Sequence, residues 1–231
     1  MDYSYIDRNY EDIKTRIDRA VQKSPMGEAP VFLAAIKSAD VDEVNYLHRK
    51  FEINDMGENR VQQLLSRYEL LDKDIKLHFI GNLQTNKVKY IIDKVCMIHS
   101  LDRTELAAEI DRQSKKMGKI MNVLVEINIG REENKGGIFP DNVASFCESL
   151  SDFENIKLCG FMTMAPKCDE KSDYLKYFCE TYKLVLDIWQ KKLHNIDKPI
   201  ISMGMSESFE GAIEAGSNMV RIGRGLFNKN L

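Results

Sequence analysis

The stretch Val31-Phe32-Leu33-Ala34-Ala35-Ile36-Lys37 places six apolar residues directly before a lysine, and Ser38-Ala39-Asp40 follows. A short continuous apolar run is typical of a strand that is buried on both faces, as in a parallel sheet. Ligands of α/β proteins bind at the carboxyl ends of such strands, where Lys37 stands. Apolar surroundings lower the pKa of a lysine and favour its neutral, nucleophilic amine. Lys37 is therefore either a Schiff-base lysine or a strand-end lysine that reaches water.

Seven more candidate strands follow this one, and candidate helices separate them. The further predicted strands lie at 53–59 (a short strand or a turn), 77–81, 96–101, 122–129, 158–164, 199–205 and 218–223. The predicted helices lie at 8–22, 41–50, 60–71, 84–92, 103–117, 140–150, 174–193 and 206–215. We expect Ser206 to be the N-cap of the last helix and Gly216 to stand at its C-terminal end.

Strict alternation of strands and helices predicts parallel strands with crossover helices. Eight such units in 231 residues predict an α/β fold, namely a (β/α)8 TIM barrel with an extra N-terminal helix. An open doubly wound sheet is the alternative. We expect residues 1–231 to form a single domain, because the chain contains no linker-like or low-complexity stretch.

Composition excludes several classes of protein. Hydrophobic residues make up 43% of the chain and charged residues 30%, and the net charge is -3, so neither nucleic acid nor an acidic membrane is expected as a partner. The first 30 residues are polar and charged, so no secretory signal is expected. The apolar runs are too short to span a bilayer. Cysteines without any C-x-x-C pair indicate reduced thiols in a cytoplasmic protein, which we expect to be monomeric. These cysteines are Cys96, Cys147, Cys159, Cys168 and Cys179.

Polar residues follow the apolar strands, and in a barrel the carboxyl ends of all strands share one mouth. The predicted mouth residues are Lys37, Asn59, Asn82, Ser100, Asn128, Thr163, Ser202 and Arg221. Any one of them could instead cap a loop.

The last two strands lead into loops that could bind phosphate, as the loops after strands seven and eight often do in barrels. These loops are Ser202-Met203-Gly204-Met205-Ser206 and Ile222-Gly223-Arg224-Gly225. Glycines let the backbone approach an anion, N–H groups at a helix start can bind it, and Ser206 adds a hydroxyl. The alternative is two ordinary glycine-bearing turns.

Other common sites are excluded. Gly223-x-Gly225 lacks the third glycine of a dinucleotide site, and 130–137 has the wrong spacing for a P-loop. The four histidines show no metal-ligand spacing, so no metal is expected; they are His48, His78, His99 and His194. His78 and His99 lie within apolar strands and are better explained as core or mouth residues. No nucleophile elbow is present.

A lysine, a phosphate cradle and a strand-end arginine in one mouth suggest pyridoxal 5′-phosphate (PLP) as cofactor. Lys37 would form the Schiff base, the glycine loops would hold the phosphate, and Arg221 would face the ring nitrogen.

Several motifs in order resemble the YggS/PROSC family, the PLP homeostasis proteins, from about residue 31 to the end. The matching stretches are Ala35-Ile36-Lys37, Gly57-Glu58-Asn59-Arg60-Val61-Gln62, His78-Phe79-Ile80-Gly81-x-Leu83-Gln84-x-Asn86-Lys87, Ile98-His99-Ser100-Leu101-Asp102, Val125-x-Ile127-Asn128, Lys135-Gly136-Gly137, Gly160-x-Met162-Thr163-Met164-Ala165-Pro166, Ser202-Met203-Gly204-Met205-Ser206 and Val220-Arg221-Ile222-Gly223.

The resemblance implies a fold like the barrel domain of alanine racemase, with Lys37 as the Schiff-base lysine and Arg221 at the pyridine nitrogen. Ser206, Gly223 and Arg224 match the phosphate binders. The full predicted cofactor-binding set is Lys37, Asn59, Ser202, Met203, Ser206, Arg221, Gly223 and Arg224; no catalytic residue is predicted.

Three positions depart from the family pattern. Ile36 stands where the family usually has Ser, Arg224 where it has Thr, and Asn228 where it has Gly. The backbone N–H of Arg224 can still bind phosphate, while its guanidinium either substitutes for the threonine hydroxyl or points to water.

The family likeness implies a carrier or regulator in PLP and amino-acid homeostasis without robust catalysis, with amino acids and PLP-dependent apoenzymes as candidate partners. One alternative is an amino-acid racemase of the alanine racemase type. That reaction needs acid/base groups on both faces of the substrate. Lys37 could serve one face, but alanine racemase takes the second group from an added β domain across a dimer, which we do not expect in a chain ending at Leu231. Another alternative is a phosphosugar barrel with Lys37 as an aldolase-type base.

Overall fold

Eight parallel strands close into a barrel, and each strand pairs with its neighbours in chain order. The structure is a computed structural model that describes residues 2–191 and 198–229. Closure is made by β1 (Val31–Ala35) and β8 (Met219–Ile222), which pair with Leu33 opposite Arg221 and Ala34 opposite Ile222. The barrel prediction is therefore confirmed, and the open doubly wound sheet is excluded.

The strands between these two are short, as expected for a barrel of this class. They are β2 Asp55–Glu58, β3 Lys76–Phe79, β4 Met97–Leu101, β5 Met121–Ile127, β6 Ile156–Thr163 and β7 Ile200–Ser202. Helices of the described part of the chain are α1 Ser4–Val21, α2 Val41–Phe51, α3 Val61–Arg67, α4 Val88–Ile91, α5 Thr104–Lys116, α6 Val143–Ser149, α7 Lys171–Gln190, α8 Phe209–Glu214 and α9 Arg224–Phe227. Single 3-10 turns lie at Tyr68–Leu70, Thr85–Lys87, Pro140–Asn142 and Leu150–Asp152.

Side chains of β1 alternate between two apolar cores, because successive residues of a strand point to opposite faces. Leu33 and Ala35 pack inside the barrel with Ile80 and Met219. Ala34 and Ile36 pack outside it, in the larger core beneath the helices. An uninterrupted apolar run is thus required here, because both faces of the strand are buried.

The helix that precedes the barrel begins earlier than the predicted residue 8, at Ser4. Its buried face includes Ile6, Ile13 and Ile17, and it packs on α8 and α9. The Asn9 amide donates to the carbonyl oxygens of Leu226 and Asn228 at 3.1 and 2.9 Å. Helix α1 therefore holds the segment that follows β8.

The structure corrects the predicted start of the helix after β7. Its N-cap is Ser208 and not Ser206, and the helix begins at Phe209. The Met205 amide donates to the Ser208 hydroxyl at 3.2 Å, which turns the chain before the helix starts. Gly216 follows the helix end with φ 107°, so the predicted C-terminal glycine is confirmed.

The helix predicted at 174–193 begins three residues earlier, at Lys171, and ends at Gln190. Residue 193, where the predicted helix was to end, lies outside the described residues. Within the described part of the chain, no helix has both the length and the apolar composition needed to cross a membrane.

Candidate functional site

Neighbouring strands β7, β8, β1 and β2 bring most of the predicted site residues into one sector of the barrel mouth. Register pairs β1 with both β8 and β2, and Ser202 at the end of β7 pairs with Met219 of β8. Lys37 and Asn59 follow β1 and β2 directly. The order of the strands in the barrel thus brings together site residues that were predicted from separate stretches of sequence.

Arg221 is the buried centre of this sector, with only 4% of its surface exposed. Its Nη1 donates to the carbonyl oxygen and to the hydroxyl of Ser202 at 2.7 and 2.8 Å, and Nη2 donates to the carbonyl oxygen of Thr163 at 2.9 Å. A guanidinium has five N–H donors, so these described contacts leave two for a ligand. Burial lowers the pKa of Arg221 to about 10, against the opposing effect of Glu126. Arg221 is therefore cationic at neutral pH.

Lys37 lies two residues beyond β1, and its side chain is exposed. It shares the strand parity of Leu33 and Ala35, which face the barrel interior, so it leaves the backbone on the mouth side. The Lys37 carbonyl oxygen accepts a hydrogen bond from Gln63 Nε2 at 2.8 Å. The strand ends at Ala35, so the exposed amine agrees with the alternative of a strand-end lysine that reaches water rather than with a lysine enclosed by apolar walls.

The loops after β7 and β8 contact each other at the predicted phosphate cradle. The Gly225 amide donates to the Ser206 hydroxyl at 3.0 Å. Gly223 packs against β1, where an added Cβ would stand 2.6 Å from the Ala35 carbonyl oxygen. Only glycine permits this approach, which keeps the backbone of the cradle beside the strand that leads to Lys37.

The guanidinium of Arg224 pairs with Glu207 Oε1 at 2.7 Å, and both side chains are largely exposed. The side chain thus takes part in a surface ion pair, while its backbone stays in the cradle. Beside the cradle lies a cavity of about 560 Å³ bordered by α1, with Arg8, Arg16, Ser206, Arg224 and Gly225 among its lining residues.

The remaining predicted cofactor-binding residues are Ser202, Met203 and Asn59, and their side chains have different surroundings. The Ser202 hydroxyl binds Arg221 and is fully buried. Met203 is also fully buried, but its side chain belongs to the core outside the barrel, so only its backbone borders the loop. Asn59 is half-buried. Its backbone N–H donates to Glu58 Oε2 at 3.1 Å, and its backbone carbonyl group packs tightly against Gly81.

The side chains of two of the predicted mouth residues form hydrogen bonds with backbone groups. Asn128 Nδ2 donates to the Glu132 carbonyl oxygen at 2.9 Å, and Asn128 Oδ1 accepts from the Glu132 amide at 3.1 Å. The Thr163 hydroxyl donates to the Ile127 carbonyl oxygen at 2.7 Å. Asn128 therefore shapes the loop at 130–137, whose Gly136 lies close to Asn82 and Asp102.

Glu126 is a mouth residue that sequence reasoning missed. It stands on β5 at the inward parity of Leu124 and is 6% exposed. Burial raises its pKa to about 7, and Asp102 adds to the rise while Arg221 opposes it. The alternation of β5 was the available signal, since a carboxylate two residues after an inward leucine faces the barrel interior.

We expect Glu126→Gln to stabilise the protein at high pH. Folded Glu126 keeps its proton up to about pH 7, whereas an unperturbed glutamate releases it near 4.5. Between these values the folded state binds more protons, so the free energy of unfolding falls as the pH rises. Glutamine removes that loss, adding about 2–3 kcal/mol at pH 8 and little at pH 4.5.

Urea denaturation of both proteins across this pH range measures the difference. The exposed Glu154→Gln is the matched control, for which the pH profile should not change. Parallel profiles for wild type and Glu126→Gln would contradict the prediction.

The described residues contain no group of three or more His, Cys, Asp or Glu side chains arranged to hold a metal ion. The five cysteines are free thiols.

Comparison with known proteins identifies the family. The profile described as "Alanine racemase, N-terminal domain" matches residues 2–230. The pyridoxal phosphate homeostasis protein of Aquifex aeolicus is 40% identical over 215 residues, which are 93% of each chain.

Two solved structures show the same fold. An unknown protein from Bifidobacterium adolescentis superposes with a TM-score of 0.85 at 26% identity, over 98% of this chain and 97% of that one. PipY of Synechococcus elongatus PCC7942, solved with PLP bound, superposes with a TM-score of 0.79 at 21% identity, over 96% of this chain and 100% of that one. The chain belongs to the pyridoxal phosphate homeostasis proteins, within the family of the alanine racemase N-terminal domain.

Proposed function

We propose that this protein binds PLP as a Schiff base on Lys37 and acts in PLP and amino-acid homeostasis as a carrier or regulator. One observation carries the proposal: a single sector of the mouth holds a lysine, a glycine cradle and a buried arginine with two free donors. The names of its relatives support the same reading.

The residues present fit the three chemical parts of PLP. Lys37 offers an amine to the aldehyde at an exposed position. The Ser206 hydroxyl and the backbone N–H groups of Gly223 and Arg224 offer donors to the phosphate. Arg221 keeps two donors for the ring nitrogen. When bound, PLP supplies an aldehyde and an electron-withdrawing ring.

The arrangement favours a carrier over an enzyme. Arg221 can donate to the ring nitrogen but cannot accept from it, so the nitrogen stays unprotonated and the ring is a poor electron sink. Lys37 is accessible to incoming amines, which suits binding and release of an aldehyde. Candidate partners are PLP, free amino acids and PLP-dependent apoenzymes.

An amino-acid racemase of the alanine racemase type is the alternative, because the matching family profile is that of an alanine racemase domain, but the names of the curated relatives do not favour it. A racemase places acid/base groups on both faces of its substrate. We expect no sustained racemisation of added amino acids by the PLP-loaded protein. Chiral chromatography after prolonged incubation tests this, and robust turnover would overturn the carrier assignment.

An ultraviolet–visible spectrum of the purified protein tests the proposal directly. A Schiff-base band in the visible range that disappears on borohydride reduction is the expected result. A protein that takes up no PLP under saturating conditions would refute it.

We expect PLP to bind at least about 100-fold more tightly than pyridoxal, which lacks the phosphate. Hydrogen bonds to a charged group contribute about 1.5–3 kcal/mol each, and two of them exceed a factor of 100 in affinity. Ser206→Ala should weaken PLP about tenfold and leave pyridoxal unchanged. Spectral titration measures both constants, and the exposed Ser151→Ala is the control. Equal affinities for PLP and pyridoxal would show that these loops do not hold phosphate.

We further propose that the protein works as a cytoplasmic monomer, and its free thiols support the cytoplasmic location. Light scattering after size-exclusion chromatography should give a mass near 26.6 kDa; twice that mass would show a dimer.

A further inference from the structure

Three ionisable side chains inside the barrel form a continuous hydrogen-bonded series that the proposed function does not use. Asp55 Oδ1 lies 2.9 Å from His78 Nε2. His78 Nδ1 lies 2.9 Å from His99 Nε2. The three residues belong to β2, β3 and β4, so the series crosses three neighbouring strands. We call Asp55, His78 and His99 the buried column.

The two ends of the buried column have different surroundings. Asp55 begins β2, at the amino-terminal end of the barrel, and 27% of its side chain is exposed. His99 is completely buried, and its Nδ1 has no hydrogen-bond partner among the described residues. A buried polar atom without a partner is costly and uncommon in native proteins, so this atom requires an explanation.

Charged groups face the column from several strands. His78 is faced by Asp55, Cys96 and His99, and His99 is faced by His78 and Arg221. Arg221 is in turn faced by Glu126. Burial opposes the charge on His78, but Asp55 and Cys96 raise its pKa to about 9. Burial lowers the pKa of His99, and the charges of His78 and Arg221 lower it further.

We propose that the buried column transmits the protonation state of His78 to His99 Nδ1, switches that nitrogen between hydrogen-bond donor and acceptor, and so changes the electrostatic field that acts on Arg221. His99 is thereby a positioning residue for the arginine of the mouth. Two 2.9 Å contacts link Asp55 to His78 and His78 to His99. At the inner end, the fully buried His99 Nδ1 has no hydrogen-bond partner among the described residues.

The positions of the protons follow from the contacts. Asp55 accepts, so His78 carries a proton on Nε2 in both states. When His78 is protonated, its Nδ1–H donates to His99 Nε2, and the single proton of neutral His99 is on Nδ1. When the column loses one proton from His99 Nδ1, the His78 Nδ1 proton moves to His99 Nε2. His78 is then neutral, and His99 Nδ1 is a bare acceptor.

The consequence concerns Arg221. The charges of the column and of Arg221 act on each other inside the barrel. When Nδ1 is bare, both histidines are neutral, whereas when Nδ1 carries its proton, His78 is cationic and repels the guanidinium. The acceptor state therefore holds the guanidinium more strongly than the donor state. The link from Arg221 to the PLP ring nitrogen rests on the proposed function, but the column itself does not.

Nitrogen-15 NMR of the histidine rings in PLP-free protein tests the switch, because protonated and bare ring nitrogens have distinct chemical shifts. Between pH 6 and 10.5 we expect His99 to exchange its proton from Nδ1 to Nε2 with the same midpoint as His78 deprotonation. His48, which is partly exposed on α2 and lies outside the buried column, is the internal reference for assigning the ring signals. One unchanging tautomer of His99 across the titration of His78 would overturn the proposal.

Asp55→Asn gives a second measurement at the more exposed end of the column. The amide keeps a hydrogen-bond acceptor for His78 but removes the charge, so both midpoints should fall together by about one pH unit or more. Midpoints that move independently would refute coupling. The wild-type titration decides the matter even where the variant folds poorly.

Loading with PLP separates the two proposals. Failure to bind PLP would refute the proposed function and leave the NMR result standing. In loaded protein we expect the PLP absorbance band to shift with the midpoint of His99, and with the lowered midpoint in Asp55→Asn. A band that does not respond to the tautomer change would show that His99 does not position Arg221.

Discussion

Lys37→Ala should abolish the borohydride-reducible absorbance band while the protein stays folded. The Schiff base needs a primary amine, and alanine has none, so the loss should be complete. Folding should be nearly unaffected, because the Lys37 side chain is exposed and the hydrogen bond from Gln63 is accepted by the backbone carbonyl oxygen of Lys37, which alanine retains. Surface substitutions of this kind usually change stability by no more than about 0.5 kcal/mol.

The test combines mass spectrometry after borohydride reduction with circular dichroism and a urea transition. Lys76→Ala is the matched control, since Lys76 is also exposed but begins β3 at the opposite end of the barrel. It should retain the full mass increment of reduced PLP. A Lys37→Ala protein that also retains the increment would assign the Schiff base to another lysine.

Residual binding by Lys37→Ala is informative as well. The phosphate cradle and Arg221 are unchanged in this variant, so free PLP should still bind without a covalent bond, only more weakly. Competition by inorganic phosphate would locate that residual binding at the loops after β7 and β8.

The barrel could be predicted from the sequence because it depends on features that repeat. Each strand is a short apolar run, and each is followed by a segment with helical periodicity, so order and class follow without knowledge of contacts. The positions of Lys37 and Arg221 were predictable for the same reason. Both stand at the carboxyl ends of strands, and strand order alone makes those ends neighbours.

Features that depend on individual contacts rather than on repeating patterns were not predictable. The exposure of Lys37 depends on where β1 ends and how the chain turns toward α2. Ser206 was a reasonable N-cap by residue type. In the structure, however, the Met205 amide donates to the Ser208 hydroxyl, and the helix begins after Ser208. His78 and His99 were recognised only as core or mouth residues, because their contact depends on the register between β3 and β4.

Arg221→Glu should destabilise the protein and alter the PLP spectrum. The substitution replaces three donated hydrogen bonds with a carboxylate that faces the carbonyl oxygens of Ser202 and Thr163. Breaking a buried charged network of this kind costs about 3–5 kcal/mol. Urea denaturation at pH 7 measures the loss, and Arg112→Glu on the exposed surface of α5 is the matched control, for which we expect a much smaller change.

A second substitution at Glu126 can separate the effect of Arg221→Glu on stability from its effect on bound PLP. The charge of Glu126 interacts with that of residue 221, so at alkaline pH, where Glu126 is ionised, a second carboxylate at that position is repelled by it. Combining Arg221→Glu with Glu126→Gln should recover about 1–2 kcal/mol of the loss. The double variant is then the protein in which to record the spectrum.

In that double variant, a glutamate at position 221 can stabilise a proton on the ring nitrogen of PLP, which a donor-only arginine cannot do. A protonated ring withdraws electrons more strongly, so the absorbance band should shift and slow transamination of added amino acids should appear. Glu126→Gln alone should show neither change, because Arg221 is intact. If the folded double variant binds PLP with the wild-type spectrum, Arg221 does not contact the ring nitrogen, and the proposed lack of turnover does not depend on this arginine.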